Sequence, residues 1–370
     1  MKFIIKKEIL MENLNNVSKA ISSKNLIPIL SGIKFELNKK GLFLSASDTD
    51  ISIECFIDKE NIVNIYSEGS IVIGGKYIVE LVRKLPSTDI TIEVIDGYKM
   101  LITTENSSFN LNGINPNEFP NLYLEETKEP ITLNTNLFKE IINQTSFTAS
   151  SSETRPILTG INFKINNNVL EVIATDSYRL AKKKIDVDVN VDNINVVIPC
   201  RNLLELSKII TDDNINLEIH LFTNKVLFKY KNILFQSRLL SGTYPASSNI
   251  IPLNFNISVE CELTKLFGMI DRASLLTSDK DKNTIKLILE NKILTIFSNS
   301  PEIGKVEEKM NVDNDNFIDI SFSSKYMLEA LRSFKSDKIL INMIDNNSPI
   351  ILKEVDNDSL IQLILPIKTY

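Results

Sequence analysis

Hydrophobic and polar residues alternate along many short segments of this chain, a pattern typical of β-strands that bury one face. Two pairs of such segments nearly repeat each other, PILSGIKFELNKKGLFLSASD and RPILTGINFKINNNVLEVIATDS. Pro28 aligns with Pro156 and Asp48 with Asp176, so the two copies match without a gap. A third and more diverged copy, IKLILENKILTIFSNS, starts at Ile285. The chain therefore contains a threefold repeat.

Each copy is flanked by segments whose apolar residues recur with helical spacing. The helix before each copy is indicated by Leu10, Leu14, Val17 and Ile21; by Phe138, Ile141, Ile142 and Thr145; and by Leu263, Leu266, Phe267 and Ile270. A second unit with its own helix follows each copy and begins at SIVIGGKYIVELVRKL, NVVIPCRNLLELSKII or DISFSSKYMLEALRSF. Each repeat is thus predicted to hold two helices and about eight short strands, an α+β arrangement.

Two linkers separate the repeats. Proline, serine and charged residues accumulate at 125–130 and again at 245–254. A chain of 370 residues with 43% apolar and 24% charged residues can bury several cores of ordinary size. We therefore predict three similar domains, at 1–127, 128–254 and 255–370.

The second helix of every repeat carries a basic residue, then a glutamate four positions later, then another basic residue seven positions after the first. The sets are Lys76, Glu80 and Arg83; Arg201, Glu205 and Lys208; and Lys325, Glu329 and Arg332. Seven residues span about two helical turns, so both basic side chains of a helix share one face. In a single helix, a solvated face with i, i+4 ion pairs explains this pattern. Three matched helices in a chain of net charge −6 instead predict a common basic surface for DNA.

The width of a duplex bears on the number of chains that such a surface needs. Six helices side by side at a spacing of about 10 Å would enclose an opening of about 9 Å, too narrow for a duplex on the order of 20 Å wide. Twelve helices would enclose about 28 Å. Two chains joined head to tail would supply twelve helices and close the circle. The helices therefore predict a ring-shaped homodimer.

The composition excludes several classes of protein. Met1 to Ile5 is followed at once by charged residues, so no signal-peptide core is predicted, and no apolar run approaches a membrane span. We expect a cytoplasmic protein without a membrane partner. Cys55, Cys200 and Cys261 lack the C-x-x-C spacing of a metal or redox site and are interpreted as reduced core residues.

Acid–base chemistry by imidazole has one candidate, because His220 is the only histidine. It lies in NLEIHLF, which alternates like a strand, and it is interpreted as a packed strand residue. We predict a protein with no catalytic residue, no metal and no cofactor.

Two alternative functions remain open. A metal-dependent enzyme could use the aspartate pairs Asp48 and Asp50 or Asp279 and Asp281 as ligands. A single aspartate that caps a turn explains the same residues without a metal. A repeat scaffold that binds only proteins is the second alternative, and in that case the helix charges would serve solubility.

Seven segments together resemble the bacterial DNA polymerase III beta subunit family, the replicative sliding clamps, over the whole chain. These segments are MKFIIKKEIL, KNLIPILSGI, RPILTGI, ATDSYRLA, FPNL, SGTYP and LILPIKTY. The resemblance implies a non-catalytic processivity subunit that encircles DNA as a ring dimer, with helices that line the hole and antiparallel sheets outside. It also implies a peptide groove used by the polymerase III alpha subunit, the clamp loader, other polymerases and repair proteins.

The resemblance assigns residues to three surfaces. The groove would contain Leu158, Thr175, Ser177, Tyr178, Arg179, Leu180, Pro245, Tyr326, Leu363, Ile364, Leu365, Pro366 and Ile367. Lys24, Arg155 and Arg201 would face DNA, together with the basic helix residues. Phe109 and Leu111 would meet Leu275 and Leu276 of a second copy.

Four residues depart from the family pattern, and they bear on the peptide preference. Lys368 stands where many relatives have arginine, Asn249 where some have a basic residue, and Ser177-Tyr178 where others have Gly-His. Pro366 has no N–H, so the last strand is predicted to stop there and to leave Ile367 and Tyr370 near the surface.

Overall fold

The computed structural model describes most of the chain. The described residues are 1–21, 27–86, 88–95, 97–188, 193–211 and 214–368. The predictions for Lys24 and Tyr370 concern residues outside these ranges.

The helices and strands follow nearly the same order in each repeat. The first repeat contains β1 (Lys2–Lys6), α1 (Lys7–Val17), β2 (Gly32–Asn38), β3 (Gly41–Ser47), β4 (Ile51–Asp58), β5 (Asn64–Ser67), β6 (Gly69–Gly74), α2 (Gly75–Lys84), β7 (Asp89–Ile95), β8 (Lys99–Thr103) and β9 (Ser108–Ile114). The second contains β10 (Ile131–Asn134), α3 (Thr135–Thr145), β11 (Gly160–Asn166), β12 (Val169–Thr175), β13 (Arg179–Asp186), β14 (Ile194–Pro199), α4 (Cys200–Ile209), β15 (Asn216–Leu221), β16 (Lys225–Tyr230) and β17 (Ile233–Arg238). The third contains β18 (Ile257–Glu262), α5 (Leu263–Ser274), β19 (Thr284–Glu290), β20 (Ile293–Ser300), β21 (Gly304–Asn311), β22 (Ile318–Ser323), α6 (Ser324–Leu331), β23 (Lys338–Met343), β24 (Ile350–Glu354) and β25 (Asn357–Ile364). Within the described ranges, the two predicted α-helices of each repeat are confirmed, and β5 is an extra short strand of the first.

A tight antiparallel hairpin lies at the centre of each repeat, formed by β2 with β3, β11 with β12, and β19 with β20. Asn167 and Asn168 turn the second hairpin with φ of 49° and 60°, and Asn291 and Lys292 turn the third with 51° and 61°. A two-residue type I′ turn needs positive φ at both positions, and asparagine adopts it more readily than most residues. The asparagine-rich turns therefore fix the register of these hairpins.

The chain divides into two compact units. Unit 1 contains Met1–Leu137 and Arg201–Leu239, and unit 2 contains Phe138–Cys200 and Leu240–Tyr370. Each unit therefore combines strands from two repeats.

One antiparallel sheet of thirteen strands forms unit 1, in the order β10-β15-β16-β17-β4-β3-β2-β6-β9-β8-β7-β1-β5. The pairing of β17 with β4, with Ile233 opposite Cys55, connects strands of the first two repeats. α1 packs against β3, β4 and α2. Leu10, Leu14 and Val17 recur at helical spacing and are buried, so α1 turns one apolar stripe toward the core.

Unit 2 contains two antiparallel sheets, in the orders β14-β11-β12-β13-β25-β24-β23-β18 and β21-β20-β19-β22. β13 pairs with β25, and Leu180 lies opposite Leu363. α5 packs against α6 over a core that includes Leu266 and Leu331. The pairing of β13 with β25 positions the chain end next to the turn that precedes β13.

The three cysteines are buried and free, as predicted. Burial raises the pKa of the Cys200 thiol to about 11, so this thiol stays protonated and unreactive near neutral pH. Among the described residues, no helix has the length and apolar character that a membrane crossing requires.

Candidate functional site

The second helix of each repeat presents its basic residues to solvent. The exposed residues are Lys76, Arg83, Arg201, Lys208, Lys325 and Arg332. Ile78 and Val82 lie on the other side of α2 and are buried. These helices therefore separate a basic face from a core-facing stripe, as the sequence predicts. Contact of this face with DNA stays a prediction.

The glutamates of α2 and α4 pair at a spacing of three, not four. Glu80 pairs with Arg83, and Glu205 Oε1 lies 2.7 Å from Lys208 Nζ. The i, i+4 pairing considered from the sequence is therefore wrong for these helices. A glutamate placed N-terminal to its cation suits the helix dipole, which explains why each one pairs with the later basic residue. In α6, Glu329 turns to a partner outside the helix.

The arginines of the basic face are loosely held. Nη2 of Arg201 lies 3.7 Å from Asp48 Oδ2, and 69% of the Arg201 side chain is exposed. Arg332 follows α6 as its C-cap residue, and its guanidinium lies 5.2 Å from the Phe267 ring centroid. Exposed contacts of this kind contribute little free energy, so a phosphate could replace them. Arg155 is also exposed.

Asp176 fixes the turn between β12 and β13. Its Oδ1 accepts hydrogen bonds from the backbone N–H of Tyr178 at 2.9 Å and of Arg179 at 3.0 Å. Asp48 Oδ1 accepts the N–H of Ile51 at 2.8 Å in the matching turn of the first repeat. The turn-capping interpretation of Asp48 is confirmed, because its carboxylate already satisfies the backbone.

Arg179 points into unit 2 rather than toward solvent, with 9% of its side chain exposed. Its Nε lies 3.0 Å from Asp176 Oδ2, and its Nη1 pairs with Glu329. Its Nη2 donates to the carbonyl of Phe147 at 2.6 Å, and the guanidinium lies 4.2 Å from the Tyr326 ring centroid. With its donors engaged inside the protein, Arg179 positions Tyr326 and the turn at Asp176.

A pocket of about 620 Å³ opens beside Tyr178. We name it the tail pocket, because residues 365–368 form part of its wall. It is lined by Tyr178, Lys282, Asn283, Ser323, Lys325, Tyr326, Leu365, Pro366, Ile367 and Lys368. Tyr178 is 63% exposed, so an aromatic ring stands at the mouth. Five of the predicted groove residues thus come together in one pocket.

Backbone hydrogen bonds hold the tail in this wall. β25 ends at Ile364, before Pro366, as the missing proline N–H predicts. The N–H of Leu365 donates to the carbonyl of Tyr178 at 2.9 Å, and that of Ile367 donates to the carbonyl of Ser321 at 2.7 Å. The wall is therefore fixed on both sides of the proline.

Several predicted groove residues lie beneath the surface. The buried ones are Leu158, Thr175, Leu180, Leu363 and Ile364. Four of them adjoin or belong to a core that includes Tyr244, whose hydroxyl oxygen accepts the N–H of Thr175 at 3.1 Å. Ser177 and Pro245 are exposed. Direct contact of these residues with a peptide stays a prediction.

Three pocket residues, Lys282, Asn283 and Ser323, are not predicted from the sequence, and Lys325 is predicted only in the DNA-facing set. Lys282 and Asn283 have φ of 59° and 53°, and the carbonyl of Asn283 accepts the N–H of Ser324 at 2.8 Å. The run SDKDKN indicates a polar turn, but no periodicity shows that this turn packs against the start of α6. Lys368 was recognised only as a departure from the family.

The predicted subunit-contact residues of unit 1 lie on β9. Phe109 and Leu111 share one face of this strand and are half-buried. β9 pairs with β8 along its length but with β6 only at Gly113 and Ile114. Within the described ranges, the other edge of residues 108–112 has no strand partner.

The corresponding residues of unit 2 lie at the end of α5. Leu275 is 75% exposed, whereas Leu276 is half-buried. α5 packs against β21, which is an edge strand of the four-stranded sheet. An exposed leucine beside an unpaired strand edge is typical of a surface that another chain covers.

One cluster, Glu126, Glu218 and His220, brings together possible metal ligands. The Nζ of Lys229 lies 2.6 Å from Glu126 Oε2 and 3.8 Å from Glu218 Oε2, so an ammonium already neutralises these carboxylates. The N–H of Thr127 donates to His220 Nδ1 at 2.9 Å, so this ring nitrogen is already engaged as an acceptor. This buried histidine is the packed strand residue that the sequence predicts.

Family comparisons cover almost the whole chain. The family models of the DNA polymerase III beta subunit match with the N-terminal domain at residues 1–123, the central domain at 132–246 and the C-terminal domain at 248–368. The beta sliding clamp of Staphylococcus epidermidis is 41% identical over the full length of both chains.

Solved structures agree with these matches. The DNA polymerase sliding clamp from Bacillus subtilis has a TM-score of 0.97 and 41% identity, with all of both chains covered. The DNA polymerase III beta chain from Streptococcus pneumoniae has a TM-score of 0.95 and 36% identity, again over all of both chains. The predicted fold of three similar α+β domains is therefore confirmed as the DNA clamp fold. With three matched domains and relatives alike over their full length, this chain belongs to the DNA polymerase III beta subunit family, the sliding clamps.

Proposed function

We propose that two copies of this chain close a ring around duplex DNA and hold the replicative polymerase there, without catalysing a reaction themselves. The observation that carries this proposal is the exposed basic pair at matched positions of α2, α4 and α6 in a chain of net charge −6. Phosphate contacts by lysine and arginine do not depend on base sequence. Such contacts let a protein hold DNA and still move along it, which is what a processivity subunit requires.

The proposed ring has three domains from each chain, at 1–127, 128–254 and 255–370. Each domain contributes two helices to the lining of the hole and places its sheets outside. Twelve helices at ordinary packing distance leave an opening of about 28 Å, which admits a duplex and a layer of water.

The proposed joint between the chains is head to tail. It places Phe109 and Leu111 of one copy against Leu275 and Leu276 of the other, and it brings the free edge of β9 to the edge strand β21. Exposed strand edges pair readily with another chain, and apolar side chains beside them are then removed from water. A heterologous contact of this kind closes a ring when its rotation completes a full turn.

Partner proteins are proposed to dock in turn through the tail pocket. They are the DNA polymerase III alpha subunit, the clamp loader, and other polymerases and repair proteins. Pockets with apolar walls and a few polar groups bind the anchor side chains of extended peptides, here an anchor of the Gln-x-x-Leu-Phe kind. We propose no metal, cofactor or membrane partner, and a cytoplasmic location where the chromosome is copied.

Topological retention tests the ring. Once its clamp loader has placed it on a nicked circular plasmid, the protein is expected to stay on the DNA in high salt and to leave when the plasmid is cut. Gel filtration before and after cutting measures this. A scaffold that binds only proteins would not travel with the plasmid. Equal loss from circular and linear DNA would contradict encirclement.

The basic helix faces can be tested without a loader. Serine replacements at all six positions are expected to weaken direct DNA association and to flatten its salt dependence, because each lost phosphate contact lowers the log–log slope by about 0.9. The replaced residues are Lys76, Arg83, Arg201, Lys208, Lys325 and Arg332. A control variant removes the same charge from exposed lysines outside the α-helices, namely Lys39, Lys40, Lys59, Lys99, Lys128 and Lys164. An equal change of slope in both variants would sink the assignment of this face.

A further inference from the structure

The rim of the tail pocket is basic. Lys282, Lys325 and Lys368 are among its lining residues, all three are exposed, and none of the described residues that line the pocket is an aspartate or a glutamate. The whole chain has a net charge of −6, so this rim opposes the charge of the protein around it. Two other pockets differ, since Lys34 lies with Glu36 and Glu54 in one and Lys76 lies with Glu80 in the other.

The three rim lysines lack internal partners. In the described part of the chain, none of them forms an ion pair or a side-chain hydrogen bond, although lysines elsewhere in unit 2 do. Asp176 and Glu329, which lie near Tyr326, are both bound to Arg179. The carboxylate of Asp281, next to Lys282 in the chain, accepts the N–H groups of Ser278 and Asn283. These acidic groups thus have partners other than the rim lysines.

Each rim lysine extends from a fixed backbone. Lys282 precedes Asn283, whose carbonyl accepts both the N–H of Ser324 at 2.8 Å and its hydroxyl at 3.0 Å. Lys325 lies in the first turn of α6. Lys368 follows Ile367, whose N–H is bound to Ser321. Because the backbone at each lysine is already fixed, little backbone freedom is lost when the ammonium groups bind an anion.

We propose that the tail pocket selects acidic peptides, that is, extended segments of partner proteins with aspartate or glutamate beside their apolar anchors. This inference rests on the proposed docking function and adds its charge specificity. The lysines come from three separate segments of the wall, so they fit several side-chain carboxylates along a peptide better than one terminal carboxylate. The anchor binds the apolar wall, and the acidic residues on either side meet the rim.

The test is a fluorescence-anisotropy titration of the full-length protein with two labelled peptides. Both carry a Gln-x-x-Leu-Phe anchor and blocked termini, and they differ only in flanking aspartates or asparagines. We expect tighter binding of the aspartate peptide, with a ratio that falls as salt is added. Glutamine at Lys282, Lys325 and Lys368 should lower its affinity by about two- to five-fold per position. The asparagine peptide should bind the variants unchanged.

Control variants separate this inference from the docking proposal. Glutamine at the exposed lysines Lys164, Lys184 and Lys265 of unit 2 should change neither affinity. Tyr178→Ala with Leu365→Ala should abolish binding of both peptides. If this double variant loses both while the wild type binds them equally, docking stands and the acidic preference is wrong.

Three further results would overturn the inference in other ways. If neither peptide binds the wild type, or if the double variant binds both as well as the wild type does, the docking proposal fails and the inference with it. If a preference appears only with an unblocked C-terminus, the lysines bind a terminal carboxylate and not acidic side chains.

Discussion

Replacing Arg179 by alanine is expected to lower the free energy of unfolding by about 3 to 5 kcal/mol, the usual effect of removing one member of a buried ion network. The change leaves Asp176 and Glu329 without their cation at sites that are largely closed to water. It also leaves the Phe147 carbonyl without its guanidinium donor and the Tyr326 ring without its cation. Unpaired groups of this kind lose solvation without gaining a bond.

The measurement is urea denaturation followed by circular dichroism. Arg83→Ala is the matched control, because it removes an arginine from an exposed pair with Glu80. We expect this control to change stability by less than about 1 kcal/mol. Equal shifts of the transition in the two variants would mean that burial of the Arg179 network is not what stabilises unit 2.

Leu275→Asp is expected to turn the proposed dimer into single chains at micromolar concentration. The side chain is 75% exposed in the single chain, so aspartate there should leave the fold intact. In the proposed joint it would be buried without a partner, which costs about 3 kcal/mol or about a hundredfold in affinity. A ring contains this joint twice, so both contacts weaken together.

Light scattering at several protein concentrations measures the change. Leu253→Asp is the control, because Leu253 is 93% exposed and lies outside the proposed joint. Leu275 suits this test better than its neighbour Leu276, which is half-buried in the single chain, so that a charge there would also disturb the fold. A Leu275→Asp protein that remains dimeric would remove this surface from the interface.

Local periodicity explains how much of the fold the sequence predicts. The hairpin of Asn167 and Asn168 and the apolar stripe of α1 depend on residues close together in the chain, and both are found where the sequence places them. The end of the last strand before Pro366 follows from a missing N–H alone. Such features need no knowledge of tertiary contacts.

The candidate site was predicted less completely, because it depends on contacts between distant segments. Arg179 and Glu329 are 150 positions apart, and nothing in either local sequence marks them as partners. The resemblance predicts Arg179 as a groove residue. In the structure, however, its donors are engaged inside unit 2. Lys282 reaches the tail pocket only because its turn packs against the start of α6. The periodicity of apolar residues contains no information about either of these tertiary contacts.

The pairing of β17 with β4 has a consequence for synthesis on the ribosome. β4 ends at Asp58, but its partner is complete only at Arg238, about 180 residues later. At a translation rate of roughly 5–20 residues per second, the edge of β4 that later pairs with β17 stays unpaired for roughly 10 to 40 seconds. During that time a strand rich in buried side chains presents unpaired backbone groups to other nascent chains. The same delay recurs between β13 and β25. Folding during translation should therefore need protection of these edges, and slow codons placed before Ile233 should lower the yield of native protein.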